Sequence, residues 1–314
     1  MNEGQLVARF RELFSTRIGD DAAVVPVEKG EQVLTSDMLV EDVDFRRTTP
    51  LHFVARKSLA VNLSDIAAMG ARPELALLSL ALPPWAREHL DDMLESFAAA
   101  AREHRIEIVG GDLSRGEKLV VSIAAIGRVV TRPLLRSGAK RGDRIYLSRP
   151  IGGAATGLTL LEKGVASYAE REFVESAIRR QLDPEPELAL GLALAEIKEV
   201  TSCIDVSDGL STDLHHLCEA SGCGAEIAKE RIPIFQDLLT FGGRLGVNVR
   251  DAVLHGGEEY ALLFTSSLPE SQLSARLRRP VYAIGRMTSE RGVILQEEGI
   301  ARPLLPGGFD HFAE

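Results

Sequence analysis

Cysteine is scarce here: Cys203, Cys218 and Cys223 are the only three in 314 residues. So small and odd a number excludes a disulfide framework. Cys218 and Cys223 do not form a CxxC pair, and no His/Cys grouping beside them reads as a zinc site. We expect reduced, partly buried thiols and a cytoplasmic location. Long apolar runs are also missing. The most apolar stretch, around Leu75 to Pro83, falls far short of the roughly 20 residues needed to cross a bilayer. The opening Met-Asn-Glu-Gly-Gln lacks the basic segment and apolar run of a secretory signal. Positive charge is in deficit, with 36 Lys and Arg against 46 Asp and Glu, a net charge of −10. That argues against a nucleic-acid binder, which needs a cationic face to displace counterions. It argues equally against a polybasic membrane-surface protein. Several familiar devices are absent too. No Gly-Lys dipeptide occurs, so there is no Walker A loop, and neither HExxH nor GxSxG is found.

What is present is the profile of a globular protein, 45% apolar and 26% charged. The length suits two ordinary domains or one large one. Residues 3–14 have helical spacing, with Leu6, Val7, Phe10, Leu13 and Phe14 on one side. Short β-branched runs follow at 22–27 and 32–36. A helix is predicted over 51–69, stopped by Gly70 with Pro73 beyond. A buried strand is predicted at 75–82, then a helix from Pro83-Pro84 to His104, then strands at 106–109 and 119–130. The polar, glycine-containing stretch 136–143 is the candidate crossing between domains 1–137 and 138–314. Beyond it we expect a strand at 144–148, helices near 153–162, 169–180 and 186–198, a strand at 201–204 and a helix from Asp208. Such alternation implies an α/β or α+β architecture in each half.

Carboxylates recur beside glycine and at predicted strand ends. Gly19-Asp20-Asp21 precedes the first strand, and Thr35-Ser36-Asp37 closes the second. Gly110-Gly111-Asp112 closes the strand 106–109. Asp205-Val206-Ser207-Asp208-Gly209 joins a strand to a helix, and Gly256-Gly257-Glu258-Glu259 precedes an apolar run. Each alone is explained by helix caps or turns. As a set they fall where α/β folds place ligands, outside strand ends. Carboxylates that meet need compensation, because two unit charges 4 Å apart repel by roughly 4 kcal/mol at an effective dielectric of 20. Magnesium fits that need, since it takes oxygen ligands and bridges to substrate phosphates. In the helix 51–69, Ser58, Asn62 and Asp65 form a polar stripe. It reads either as a solvent-facing edge or as a device aiming Asp65 at the metal. The adjacent His215 and His216 point in different directions on a helix and are expected to take ordinary surface or core roles. Tyr260 is expected to pack rather than bind.

Eight ordered blocks carry a resemblance: Gly-Asp-Asp-Ala-Ala-Val-Val (19–25), Thr-Ser-Asp-Met-Leu-Val-Glu (35–41), Asn-Leu-Ser-Asp-Ile-Ala-Ala-Met-Gly-Ala-Arg-Pro (62–73), Val-Gly-Gly-Asp-Leu-Ser-Arg-Gly (109–116), Arg-Ser-Gly-Ala-Lys-Arg-Gly-Asp (136–143), Ile-Asp-Val-Ser-Asp-Gly-Leu (204–210), Gly-Gly-Glu-Glu-Tyr (256–260) and Gly-Phe-Asp-His-Phe (308–312). In order and spacing they resemble the thiamine-monophosphate kinase family, within the aminoimidazole-ribonucleotide synthetase superfamily.

The resemblance implies a two-domain α/β (α+β) fold. Its N-terminal mixed sheet would pair across a homodimer, and its C-terminal α/β domain would close over the cleft. The implied reaction is ATP + thiamine monophosphate → ADP + thiamine diphosphate, with several Mg2+ ions. Carried over by position, Asp21, Thr35, Ser36, Asp37, Asp65, Asp112, Asp205 and Asp208 would be metal ligands. Gly111, Asp112, Arg136 and Ser207 would contact ATP. Glu258 and Phe309 would contact the thiamine end. At position 44 many members have histidine as a substrate contact, and Asp44 takes that place here. Asp37, Asp112, Asp208 and Arg136 are the expected catalytic set. The acceptor oxygen is already anionic, so bringing two polyanions together is the main demand, and we expect direct in-line transfer with magnesium bridging both phosphates. Arg136 would add a planar fork of donors. Two further readings stay open: a superfamily relative acting on another acceptor, and a non-catalytic nucleotide- or metal-binding protein. A selenophosphate synthetase would be expected to carry a reactive cysteine near its N-terminus, and the first cysteine here is Cys203.

Overall fold

In β2, Gly30–Val40, buried Val33 and Leu39 alternate with exposed Leu34 and Met38. This is the pattern of a sheet covered on one face only. The computed structural model describes residues 23–27, 30–164 and 170–311. The predicted helix over 3–14 and the candidate ligand Asp21 lie outside the described residues. The first sheet contains β1 (Ala23–Val27), β2, β3 (Ala71–Leu82), β4 (Glu107–Arg115) and β5 (Val120–Val129), in the order β1-β2-β5-β3-β4. Among the described residues of this sheet, only β3 and β4 pair in parallel. Their crossover runs through a helical turn α2 (Pro84–Arg87) and α3 (Leu90–His104), the long connection that parallel neighbours require. A single helix was expected there, but His89 leaves helical geometry (φ −118°, ψ 18°) and divides it.

Helix α1 (Leu51–Ala68) is buried almost all round. Leu59, Leu63 and Ile66 pack with Val33, Leu39, Val121 and Ile123 of the first sheet. Ala67 and Ala68 pack with Leu190, Leu194 and Phe264 of the second half. A helix with two apolar neighbours has no need of a polar face. The second half is a seven-stranded sheet, β12-β11-β8-β10-β6-β9-β7. Its strands are β6 (Arg144–Leu147), β7 (Val200–Asp205), β8 (Gly224–Ala228), β9 (Leu262–Ser266), β10 (Tyr282–Thr288), β11 (Gly292–Glu297) and β12 (Ile300–Pro303). Helices α4 (Gly153–Glu162), α5 (Arg171–Leu182), α6 (Leu188–Glu196), α7 (Leu210–Ser221), α8 (Leu238–Phe241), α9 (Val249–Leu254) and α10 (Glu270–Leu277) accompany it. The mixed α/β architecture in each half is the one expected.

Two acidic motifs sit differently from expectation. Gly110-Gly111-Asp112 does not end its strand, because β4 continues to Arg115 beside β3. Thr35-Ser36-Asp37 likewise lies inside β2, whose pairing with β5 runs on to Val40. In both, a long neighbouring strand keeps supplying hydrogen-bond partners past residues that read as turn formers.

Candidate active site

The site begins where β2 passes α1. Thr35 and Asp37 share the face of β2 that turns to the helix, and the Thr35 hydroxyl donates to Asp65 Oδ2. The Asp37 main-chain N–H donates to Asn62 Oδ1 at 3.0 Å. Asn62 is itself held by the Ser58 carbonyl at 3.0 Å, and Ser58 donates to the Val54 carbonyl at 2.6 Å. Ser58 and Asn62 are fully buried. The polar stripe of α1 is therefore an internal scaffold that aims Asp65 at β2. Ser36 lines the cleft from the alternate side of the strand.

From the second half, β7 ends at buried Asp205, whose Oδ2 accepts a hydrogen bond from Ser64 of α1. Beyond it the turn carrying Ser207 and Asp208 is held by Asp213. This buried carboxylate accepts the main-chain N–H groups of Asp208 (3.2 Å) and Gly209 (3.0 Å). Burial, then the charges of Asp208 and Asp205, push the Asp213 carboxyl well above the usual range. Oxygen atoms of Asp208 and Asp213 and a ring nitrogen of His216 lie within 4.8 Å of one another.

The segment 256–260 runs beside this turn. Glu258 N–H donates to the Ser207 carbonyl at 2.7 Å and Tyr260 N–H to the Val206 carbonyl at 2.8 Å. Lys57 Nζ of α1 stands 2.5 Å from Glu258 Oε1, and Gln181 of α5 donates its amide to Glu258 Oε2. Behind it Glu259 Oε1 accepts the N–H groups of Gly152 and Ala154, each at 2.8 Å, at the start of α4. Burial raises the Glu259 carboxyl to about 7. The C-terminal tail closes the rim. Gly308 N–H donates to Thr212 Oγ1 at 3.0 Å and Phe309 N–H to the Asp208 carbonyl at 3.1 Å. A Cβ at Gly308 would stand 2.1 Å from that same carbonyl, so only glycine lets the tail lie this close.

These elements enclose a cleft of about 780 Å³ between the two halves. Among the sequence candidates it gathers Thr35, Ser36, Asp37, Asp44, Asp65, Arg136, Asp205, Ser207, Asp208, Glu258 and Phe309. Gly111 and Asp112 lie outside its lining, on the exposed strand β4. Tyr260 is buried, as expected of a packing side chain, and also borders the cleft. Its phenol is pushed well up by burial and then by the charges of Glu258, Asp37, Asp205 and Asp65. Asp44 Oδ2 accepts the Val40 N–H at 2.7 Å, and burial raises its carboxyl. Four residues escaped the sequence reading: Lys57, Ser64, Gln181 and Asp213. None of the four stands out in the sequence: Lys57 follows Arg56 and reads as part of a charged helix edge.

The donor set is four carboxylates, Asp37, Asp65, Asp205 and Asp208, with the hydroxyls of Thr35 and Ser36 in one cleft. Hard oxygen donors of this kind suit magnesium.

Residues 19–129 match the AIR synthase related protein, N-terminal domain, and residues 140–297 the AIR synthase related protein, C-terminal domain. Two sheets flanking an acid-lined cleft are thus the architecture of the AIR synthase related class. Within that class, the thiamine-monophosphate kinase of Bacillus subtilis is 35% identical over 310 residues, covering 94% of this chain and 93% of that protein. The Escherichia coli K12 protein of the same name is 36% identical over 327 residues, covering 99% and 98%. A solved structure described as AaThiL complexed with AMPPCP and TMP superposes with a TM-score of 0.89 at 31% identity, over 99% of this chain and 97% of that one. The chain belongs to the thiamine-monophosphate kinase family.

Proposed function

We propose that this protein transfers the γ-phosphoryl group of ATP to thiamine monophosphate, giving thiamine diphosphate and ADP. The observation that carries this reading is the meeting of Asp37 and Asp65 from one half with Asp205 and Asp208 from the other in a single cleft. The name and bound ligands of the similar proteins supply the substrates.

In this reading Asp37, Asp65, Asp205 and Asp208, with Thr35 and Ser36, would hold magnesium. Bound there, magnesium supplies charge neutralisation for two polyanions that otherwise repel. The chain's own residues position the reactants. Arg136 at the cleft wall offers a cation and a planar donor fork to the nucleotide phosphates, with Ser207 beside it. Phe309 offers a ring face to the acceptor's cationic or aromatic rings, while Glu258 and Asp44 provide negative charge near it. The acceptor phosphate is already anionic near neutral pH, so no strong general base is needed. Domain 1–137 carries Thr35, Ser36, Asp37, Asp65 and Arg136, and domain 138–314 carries Asp205, Asp208 and the closing wall.

The test is direct. Protein incubated with ATP, magnesium and thiamine monophosphate should yield thiamine diphosphate and ADP in equal amounts. ADP without the diphosphate would point instead to a relative acting on another acceptor. Nucleotide binding with no turnover would point to a binding protein.

The active form in this proposal is a homodimer. One face of the first sheet is open and apolar, with Met38 58% and Leu77 44% exposed, which is unusual for a monomer's sheet. Asp112 lies three strands from β2, roughly 14 Å at the usual spacing. Gly111 and Asp112 would therefore reach nucleotide through the edge strand β4 of a second copy. Sedimentation equilibrium should give twice the chain mass, and Leu77→Asp should shift it to the monomer. A wild-type monomer at assay concentration would remove this part of the reading.

A further inference from the structure

We propose that Lys57 is a positioning residue for acceptor recognition: it fixes Glu258 and sets the net charge at the end of the cleft that takes the acceptor's cationic ring. The inference rests on the kinase reading above and deepens it. Lys57 is 3% exposed. An ammonium so deeply buried must find a carboxylate, because an unpaired buried charge is strongly disfavoured. Its Nζ stands 2.5 Å from Glu258 Oε1, and the other Glu258 oxygen takes the Gln181 amide. The Glu258 backbone is pinned as well, at φ 61° with its N–H on the Ser207 carbonyl. Three elements therefore hold one residue: α1 from the first half and α5 from the second grip its carboxylate, and the metal-side turn grips its main chain. Glu258 nonetheless keeps a face toward the cleft.

The local charge follows from the same arrangement. Asp44 feels the charges of His311, Glu258 and Lys57. Two carboxylates and one ammonium leave a single net negative charge before His311 is counted, a match for one thiazolium. Without Lys57 the same wall would hold two uncompensated carboxylates beside the acidic metal-binding residues. Glu258 would then lose the partner that fixes Oε1 and swing away from its orientation. Lys57 thus acts through Glu258 and is not asked to touch the reacting phosphates.

A double-mutant cycle tests this, with Lys57→Met, Glu258→Gln and the pair together. Lys57→Met should raise KM for thiamine monophosphate at least about tenfold while KM for ATP stays within about twofold. Lys57→Arg should recover most of the loss. In the Glu258→Gln background, Lys57→Met should change that KM by less than about twofold. A full additional loss in that background would overturn the proposal, as would a fall in kcat with KM for the acceptor unmoved. Should Lys57→Met alone fail to fold, the pair decides against Glu258→Gln, since removing both charges leaves neither buried alone. Equal KM values support the proposal, and a further rise overturns it. An unaltered protein that makes no thiamine diphosphate overturns the kinase reading and this inference with it. Turnover with additive losses overturns this inference alone.

Discussion

Asp37→Asn is expected to lower turnover about 1000-fold or more while the chain stays folded, since loss of a metal-held charge clamp is worth several kcal/mol and each 1.4 kcal/mol is tenfold in rate. The main chain at Asp37 is secured independently of its carboxylate, by the N–H to Asn62 and by pairing with Ile123 of β5. Asparagine keeps the shape and removes only the charge. In the absence of bound metal, one negative charge fewer among Asp65, Asp205, Asp208 and Glu258 relieves repulsion. The thermal midpoint should accordingly hold or rise slightly. Steady-state kinetics across a magnesium titration, with circular-dichroism melting, would measure both sides. Near-normal turnover would take Asp37 out of the metal site.

Gly191→Ala is the stability counterpart. Helix α6 passes α1 so closely that a Cβ on Gly191 would lie 2.0 Å from the Ala67 carbonyl oxygen. The atom in the way is backbone, with no flexible side chain to swing aside, so the helices must part. Overpacking of this kind costs typically about 1–3 kcal/mol, which lowers the melting midpoint by roughly 5–10 °C at the upper end. This contact adjoins the cluster joining α1 to the second half, where Ala67 and Ala68 meet Leu190 and Leu194. Ser64, three residues earlier, holds Asp205. Parting the helices separates Asp65 from Asp205, so turnover should fall even below the melting range. Calorimetry and assays at a permissive temperature measure the two effects. An unchanged midpoint would mean that the helices separate without cost.

Much of the site was legible in advance for a local reason. Asp205, Ser207 and Asp208 occupy a strand-to-helix turn whose chemistry is written in five consecutive residues. The stripe Ser58, Asn62 and Asp65 follows from helical spacing alone. What spacing left open was whether that stripe faced water or protein. Burial of Ser58 and Asn62 between two sheets decided it. The acidic motifs of β2 and β4 misled in a second way. They read as strand ends because serine, glycine and aspartate favour turns, yet neighbouring strands carried them through.

The identities and order of the elements, the acidic blocks and the family were determined by the sequence itself, because periodicity and turn chemistry act over a few residues. Which acids face one another was settled only by tertiary packing. Helix α1, buried between two sheets, brings Asp65 to Thr35 and Asn62 to Asp37 on one side and Ser64 to Asp205 on the other. Lys57 found Glu258, and Asp112 fell outside the cleft, for the same reason. Partners distant in sequence are chosen by the fold that buries them, and a buried charge settles only where that fold supplies its opposite.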